Sequence, residues 1–378
     1  MAKRIIHLGA TSGTETYLRK FLKKYFRLKD ARQYEYPTLN SRCNAGDKAL
    51  IETYKYIIEE KLNAEPIFMV SKRIFDERDL DFINSHDALI LGGGGMFIHD
   101  SFPNIYSDWL WGVTEEFISK IKIPIFVYSV GYNKFRGQRD FTKQFDRTVT
   151  ALLENSPAFA LRHNGDVRKL KKHIPERLKG KVEMNFCPTL CFNEYNWNLE
   201  SSLTNRKVVF SLSGDRLGHR HGDVFKYVEE IKKFKTYLES KGYEVVYFVH
   251  LRTDKWILEF IKFDTVVELD HSSTEEILRE YAKTDYVVSD RGQGQMLGFS
   301  VGCKIITPIS HDKLKFFLED IGLERVGVEE SDPNLHQKLI GIFNDLEKDE
   351  KYKDFWKKTM AEIQTRNDEF IKKIKRNL

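Results

Sequence analysis

The sequence predicts an α/β protein of two successive doubly wound domains, each a parallel sheet covered by helices, facing one another across a cleft. Three observations carry this. Short apolar runs alternate with helix-length amphipathic segments almost throughout, the pattern of consecutive βαβ units. The runs are continuously apolar rather than alternating in polarity, as strands covered on both faces must be. The rhythm breaks once, at 192–207, and then restarts.

In the first half the predicted strands are RIIHL (4–8), PIFMV (66–70), ALILG (88–92), IPIFVYSVG (123–131), AFALR (158–162) and VEMNF (182–186). The segment FNEYNWNLESSLTNRK, rich in Asn, Ser and charge, reads as a linker. The second half supplies VVFSLSG (208–214), VVYFVH (245–250), TVVEL (265–269), YVVSD (286–290) and KIITPI (304–309). Beyond Val328 the pattern is helical only, over 333–348 and 351–377. The expected domains are therefore 1–195 and 206–330, with helices 331–378 packing back on the body. Two Rossmann-like domains in this arrangement define the GT-B architecture, which several unrelated two-domain α/β proteins share. In such sheets the ligand sits beyond the carboxyl ends of the strands.

Composition narrows the partners. With 61 Lys+Arg against 56 Asp+Glu, the net charge of +5 is too small and too evenly spread to argue for nucleic acid. It suits anionic small molecules or an anionic membrane face. No apolar run reaches the ~18 residues of a spanning helix, and MAKRIIHLGA lacks a signal-peptide core. The expected location is the cytoplasm, with the inner face of the plasma membrane as a place of peripheral association. Cys43, Cys187, Cys191 and Cys303 show no zinc-like spacing and read as buried thiols. No metal is expected; the HRH run (219–221) has no carboxylate or cysteine at supporting spacing.

The strand ends hold the chemistry. Asn44 and Asp47 in NAGDKAL open a helix, where Asn44 or Asp47 can cap and Asp47 suits the dipole, or where a substrate can hydrogen-bond. After ALIL, the glycines Gly93, Gly94 and Gly95 remove successive Cβ atoms and expose backbone N–H groups to a ligand or a tight turn. His99 and Asp100 follow as acid–base candidates. Arg162, leaving a buried strand just before Asn164 and Asp166, is either paired locally or aimed into the cleft. The loop after VVFSLSG carries Arg216, His219, Arg220 and His221, and the VVYFVH strand ends in His250, Arg252 and Asp254. YVVSD is followed by Arg291, Gly292, Gln293 and Gly294, an arginine beside a glycine-bared helix N-terminus. His311, Asp312 and Lys313 close the last strand.

Taken in order, NAGDKAL, ALILGGGGMF, PIFVYSVGYN, ALRHNGDVRKL, SDRGQGQMLGFSVG and HDKLKFFLEDIGL resemble the polysaccharide pyruvyl transferase family over residues 44–323. The resemblance implies transfer of pyruvate from phosphoenolpyruvate, a co-substrate, to two hydroxyls of a sugar as a cyclic ketal, with no other cofactor. The partner it implies is a lipid- or nucleotide-linked glycan precursor; an oligomer is compatible with it. Arg162 and Arg291 match its donor-binding arginines, and Asp100 matches an acidic residue. The family's Arg-x-His reads Arg-Gly-Gln here, so Gln293 stands where the acid–base histidine belongs, and glutamine cannot deliver a proton. His250, His271 and His311 are the candidate replacements. The competing expectation is a nucleotide-sugar-dependent glycosyltransferase on the same fold, with the arginine and glycine N–H groups holding a diphosphate.

Overall fold

The computed structural model describes residues 2–9, 43–192 and 199–378. The basic helix expected at TETYLRKFLKKYFR (14–27), in the insertion before NAGD, and part of the linker, 193–198, lie outside the described residues. The first domain contains β1 (Lys3–Gly9), β2 (Ala64–Val70), β3 (Arg73–Ile74), β4 (Ala88–Gly92), β5 (Trp111–Gly112), β6 (Ile125–Val130), β7 (Ala158–Leu161) and β8 (Val182–Met184). Six of these form one sheet in the order β2-β1-β4-β6-β7-β8, with every pair parallel. The helices are α1 (Ala45–Tyr56), α2 (Glu77–Asn84), α3 (Glu115–Ser119), α4 (Lys143–Glu154) and α5 (Asn164–Leu170). Strands β4, β6 and β7 are buried at every residue, which explains their uninterrupted apolar sequence.

The second domain repeats the plan with β9 (Lys207–Ser211), β10 (Glu244–Val249), β11 (Thr265–Glu268), β12 (Tyr286–Ser289), β13 (Lys304–Ile309) and β14 (Gly327–Glu329). Its order, β11-β10-β9-β12-β13-β14, places the reversal of strand order between β9 and β12. Strand β14 escapes sequence reading; β8, equally short, is legible only as part of the longer run VEMNF. Its helices are α6 (Leu217–Arg220), α7 (Val224–Ser240), α8 (Thr274–Ala282), α9 (Gly292–Ser300) and α10 (Asp312–Ile321), followed by α11 (Leu335–Glu347) and α12 (Tyr352–Arg376).

The sheets meet by their carboxyl ends. Residues following β4, β6 and β7 touch residues following β9 and β13, as in Asp100–Arg216, Arg136–Asp312 and Asn164–Asp320. Helix α12 straps the two bodies together behind this seam. Its first turns sit on the second domain, where Trp356 Nε1 donates to the Phe299 carbonyl at 2.6 Å and Tyr352 Oη to the Cys303 carbonyl at 2.5 Å. Its later turns lie on the first domain, where Asn367 accepts from Tyr128 Oη and Lys373 pairs with Glu183.

The glycines of α9 set how closely that helix lies on the sheet. A Cβ on Gly294 would stand 2.6 Å from Ser289 Oγ and 3.0 Å from Ser211 Oγ, and one on Gly298 would stand 2.7 Å from a Val287 methyl. Ser289 Oγ is tied to the carbonyls of Ser211 and Arg291 at 2.8 and 3.0 Å and has no room to yield. By contrast, the nearest atom to a Cβ on Gly292 is Lys313 Cε at 3.5 Å. Overpacking of this kind costs about 1–3 kcal/mol. Gly294→Ala is therefore expected to lower unfolding stability by about that amount in denaturant titration, with Gly292→Ala close to wild type.

Candidate active site

On the first-domain side the expected ligand loop after β4 turns out to be packing. Gly93 and Gly94 have φ of +81° and +69°, a left-handed turn that glycine makes without strain. Cβ atoms on Gly92 and Gly93 would meet the Tyr54 ring and Leu50 at 2.5 and 2.3 Å, and one on Gly95 would meet Asn133 at 2.5 Å. Side chains of the protein fill the space that an approaching ligand would need at Gly93 and Gly95. Gly94 alone of the three has open space, with Leu50 at 3.8 Å. The expectation of a glycine-lined ligand contact is corrected accordingly.

The N-terminus of α1 is likewise engaged. Asn44 caps it by accepting from the Gly46 N–H at 3.0 Å, with Asp47 in the first turn. The Ala45 N–H then donates across the seam to the His250 carbonyl at 3.0 Å, and Lys48 Nζ donates to the Ser272 carbonyl at 2.9 Å. This helix end docks one domain onto the other.

On the second-domain side Arg291 is not free. Its guanidinium is buried and ion-paired with buried Asp254, which also accepts from the Gly214 and Leu251 N–H groups at 3.0 Å each. Burial works against its charge, and the carboxylates of Asp254, Asp215 and Asp290 more than offset that, holding it above its ordinary range. Gln293 points into the seam, where its amide oxygen accepts from Thr189 Oγ1 at 3.3 Å and its nitrogen faces Cys187 Sγ at 3.7 Å. Both halves of its amide are thus engaged with the first domain, and as an amide it has no proton to deliver. Gly294, as shown above, is a packing position.

Asp100 is corrected too. Arg216 grips it with two bonds of 2.7 and 2.8 Å, and Gln138 Nε2 adds a third at 2.8 Å. Burial alone would raise its carboxyl, but Arg216 and Gln138 outweigh that and hold it below the usual carboxylate range. A carboxylate so held ties the domains together and has no proton to give. Arg216 reaches it from a strained left-handed backbone, φ +57°. His250 is fully buried, its Nε2 bonded to Tyr281 Oη at 2.6 Å, and burial pushes its pKa well down, so it too is no acid. His271 lies exposed on the rim.

The structure instead gathers a cationic centre around Arg162, Lys313, Arg220 and His311. Strand β6 supplies the geometry: Ser129 adopts φ +54° and breaks the register between Val127 and Val130, turning the chain at Gly131. The Arg162 guanidinium lies against Gly131, where a Cβ would be 2.6 Å from Nη2. Arg162 is 4% exposed, its Nε and Nη2 have no hydrogen-bond partner, and among the described residues no carboxylate forms an ion pair with it. Arg220 is matched by Asp215, with Nη2 to Oδ1 at 3.0 Å. Lys313 has no ion pair among the described residues, and burial together with Arg220 and Arg162 pushes its ammonium well below its ordinary range. Burial would raise Asp215, but Arg220, Arg291, Lys313 and Arg216 together drive its carboxyl far down.

Phe135 of the first domain reaches into this centre. Its ring lies 5.1 Å from both Arg216 and Arg220, 5.9 Å from Lys313, and edge-on to His311 at 4.3 Å. Beside Arg162, Asp166 is fully buried with neither carboxyl oxygen hydrogen-bonded, and burial raises its pKa. Of the residues expected from sequence, Arg162, Lys313 and His311 come together here, and Gly292 borders Lys313. Sequence reasoning missed Phe135 and Asp215. KFRGQRD follows a strand end, as ligand loops do, and was the signal available for Phe135.

A family model for polysaccharide pyruvyl transferase matches residues 13–312. No curated protein matches the chain. Among solved structures, a putative UDP-N-acetylglucosamine 2-epimerase from Listeria monocytogenes is similar in fold, with a TM-score of 0.50 at 10% identity, covering 94% of this chain and 91% of that one. A Neisseria meningitidis UDP-GlcNAc 2-epimerase bound to UDP-GlcNAc gives 0.49 at 10% identity, covering 99% of this chain and 100% of the other. An S. aureus MnaA–UDP structure gives 0.49 at 12% identity, over 94% and 91%. The architecture is GT-B: two facing Rossmann-like domains with C-terminal helices.

Removing one partner of a buried ion pair strands the other charge, at a cost of about 3–5 kcal/mol. Asp254→Asn is therefore expected to lower unfolding stability by roughly that much, measured by denaturant titration, as the mark of a structural rather than ligand-facing Arg291.

Proposed function

The chain belongs to the polysaccharide pyruvyl transferase family, and from that premise we propose that it transfers pyruvate from phosphoenolpyruvate to two hydroxyls of a glycan-precursor sugar. The observation that supports this reading is the pair of cations left unmatched at the seam, Arg162 from one domain and Lys313 from the other. Phosphoenolpyruvate carries a carboxylate and a phosphate. The planar guanidinium fork suits the carboxylate and the lysine point charge suits the phosphate. Arg291, neutralised by Asp254, acts in this reading as a support beneath the donor rather than as its ligand.

Proton addition at carbon 3 converts the methylene to a methyl and leaves an oxocarbenium-like carbon 2. Asp166, whose burial favours the protonated carboxyl, carries that proton in this reading. One sugar hydroxyl bonds to carbon 2 and returns its proton to the carboxylate. The bond from carbon 2 to the phosphate oxygen then breaks, and the second hydroxyl closes the ketal as its proton leaves with phosphate. Atoms and charge balance without a redox partner.

Thermal-shift and calorimetric titration test the donor. Phosphoenolpyruvate is expected to raise the melting temperature of the wild type. Arg162→Gln and Lys313→Gln are each expected to weaken its binding about 10- to 100-fold, the scale of a charge-assisted hydrogen bond. Because both residues are unmatched cations, neither change is expected to destabilise the free protein. Stabilisation by a nucleotide sugar but not by phosphoenolpyruvate would replace this reading with the glycosyltransferase one.

A further inference from the structure

The family resemblance leaves a histidine missing at position 293, and His311 stands at the seam as an apparent substitute. Its surroundings assign it a different task. His311 caps α10, and its Nδ1 accepts the Lys313 N–H at 3.0 Å. A ring nitrogen accepting a hydrogen bond carries no proton, so the neutral ring holds its proton on Nε2. That Nε2 is buried without a protein partner, in a residue 1% exposed. Phe135 fixes the ring edge-on. The charged groups facing it are Lys313 on its own helix, Arg220 from α6, Lys169 from α5 and Arg162 from the end of β7. Lys169 is matched by Asp312 at 2.6 Å and Arg220 by Asp215, leaving Arg162 and Lys313.

We infer that His311 is a permanently neutral hydrogen-bond donor whose Nε2–H binds an anionic oxygen of the donor, its phosphate foremost, and that it supplies no proton in the reaction. Charging the ring would require a proton on Nδ1. That would break the cap of a ten-residue helix, place a positive charge at the positive end of its dipole and set it among four cations. Burial and Lys313, Arg220, Lys169 and Arg162 push its pKa well down in the same direction. The ligand chemistry is a phosphate-type oxyanion, met at once by a helix N-terminus, an imidazole N–H and two unmatched cations. The site thereby keeps its donor strength across the pH range in which an ordinary histidine loses its proton.

The inference rests on the donor site proposed above, and two substitutions separate its parts. His311→Asn keeps a side-chain oxygen to cap α10 and deletes the Nε2–H. His311→Gln returns an N–H near the Nε2 position and gives up the cap. With inorganic phosphate and with phosphoenolpyruvate as calorimetric probes, His311→Asn is expected to bind at least about 10-fold more weakly at an unchanged folding midpoint. His311→Gln is expected to retain more affinity and to melt earlier. Ring-¹⁵N spectra of the wild type are expected to show one ring proton, on Nε2, before and after phosphate is added. Unchanged affinity in His311→Asn, the reverse order of the two variants, a proton on Nδ1 in the bound state, or no binding of either probe by the wild type would each overturn the assignment. If phosphate behaves as expected but phosphoenolpyruvate binds no more tightly than phosphate, the assignment of His311 stands and the donor assignment falls.

Discussion

Charge matching in a buried seam is the constraint on which the arrangement depends. An isolated ion in such a place costs several kcal/mol, so each buried cation calls for a carboxylate. Arg291 has Asp254, Arg220 has Asp215, and Arg216 has both Asp100 and Asp215. Against that background Arg162 and Lys313 stand out, because the same fold that supplies partners to their neighbours supplies none to them among the described residues. Asp166, the carboxyl beside Arg162, is itself raised by burial and forms no ion pair with it. The excess of positive charge therefore has a defined place, and it is contributed by both domains.

Holding those cations without contact to a carboxylate requires a rigid support. The bulge at Ser129 aims the end of β6 so that Gly131 can lie under the Arg162 guanidinium. On the other side, Gly294 and Gly298 let α9 sink onto β12, which fixes Arg291 at its N-terminus and Asp254 above it. Phe135 closes the centre with a ring whose face attracts cations, so that Arg216, Arg220 and Lys313 share one aromatic neighbour.

The fold was legible because its signal is repeated. Each buried parallel strand leaves the same continuous apolar run, and the long strands were found in order with no boundary off by more than three residues. Strand β14, three residues long, carried no such signal. The site was legible in part. Arg162, His311 and Lys313 could be named because they follow buried strands, where cleft residues must lie. What could not be read was which of the candidates are already paired. Asp254 follows β10 and Arg291 follows β12, two strands apart in the sheet, and nothing in either local sequence states that they meet. The glycine run that ends β4 misled for a related reason. A glycine required by a ligand and one required by Tyr54 or Asn133 look the same until the neighbouring side chain is placed.

The two-domain origin of the unmatched charge also fixes the sign of a coupling. The rim contacts that hold the seam shut, such as Arg136 with Asp312 and Glu329, Arg168 with Glu319 and Lys169 with Asp312, are partly exposed. Pairs of that kind contribute about 0–1 kcal/mol each. Arg162 and Lys313 are like charges from opposite domains, and burial, Arg220 and Arg162 together weaken the ammonium's hold on its proton. In the proposed reading an anion between them would bond to both domains at once and offset that repulsion. Helix α12, anchored on both bodies by Trp356 and Asn367, ties together the two domains that carry these cations. An uncharged ligand in the same place would gain contact but would leave the repulsion intact. In that reading, the charge left unmatched in each half is what ties recognition of an anion to both domains.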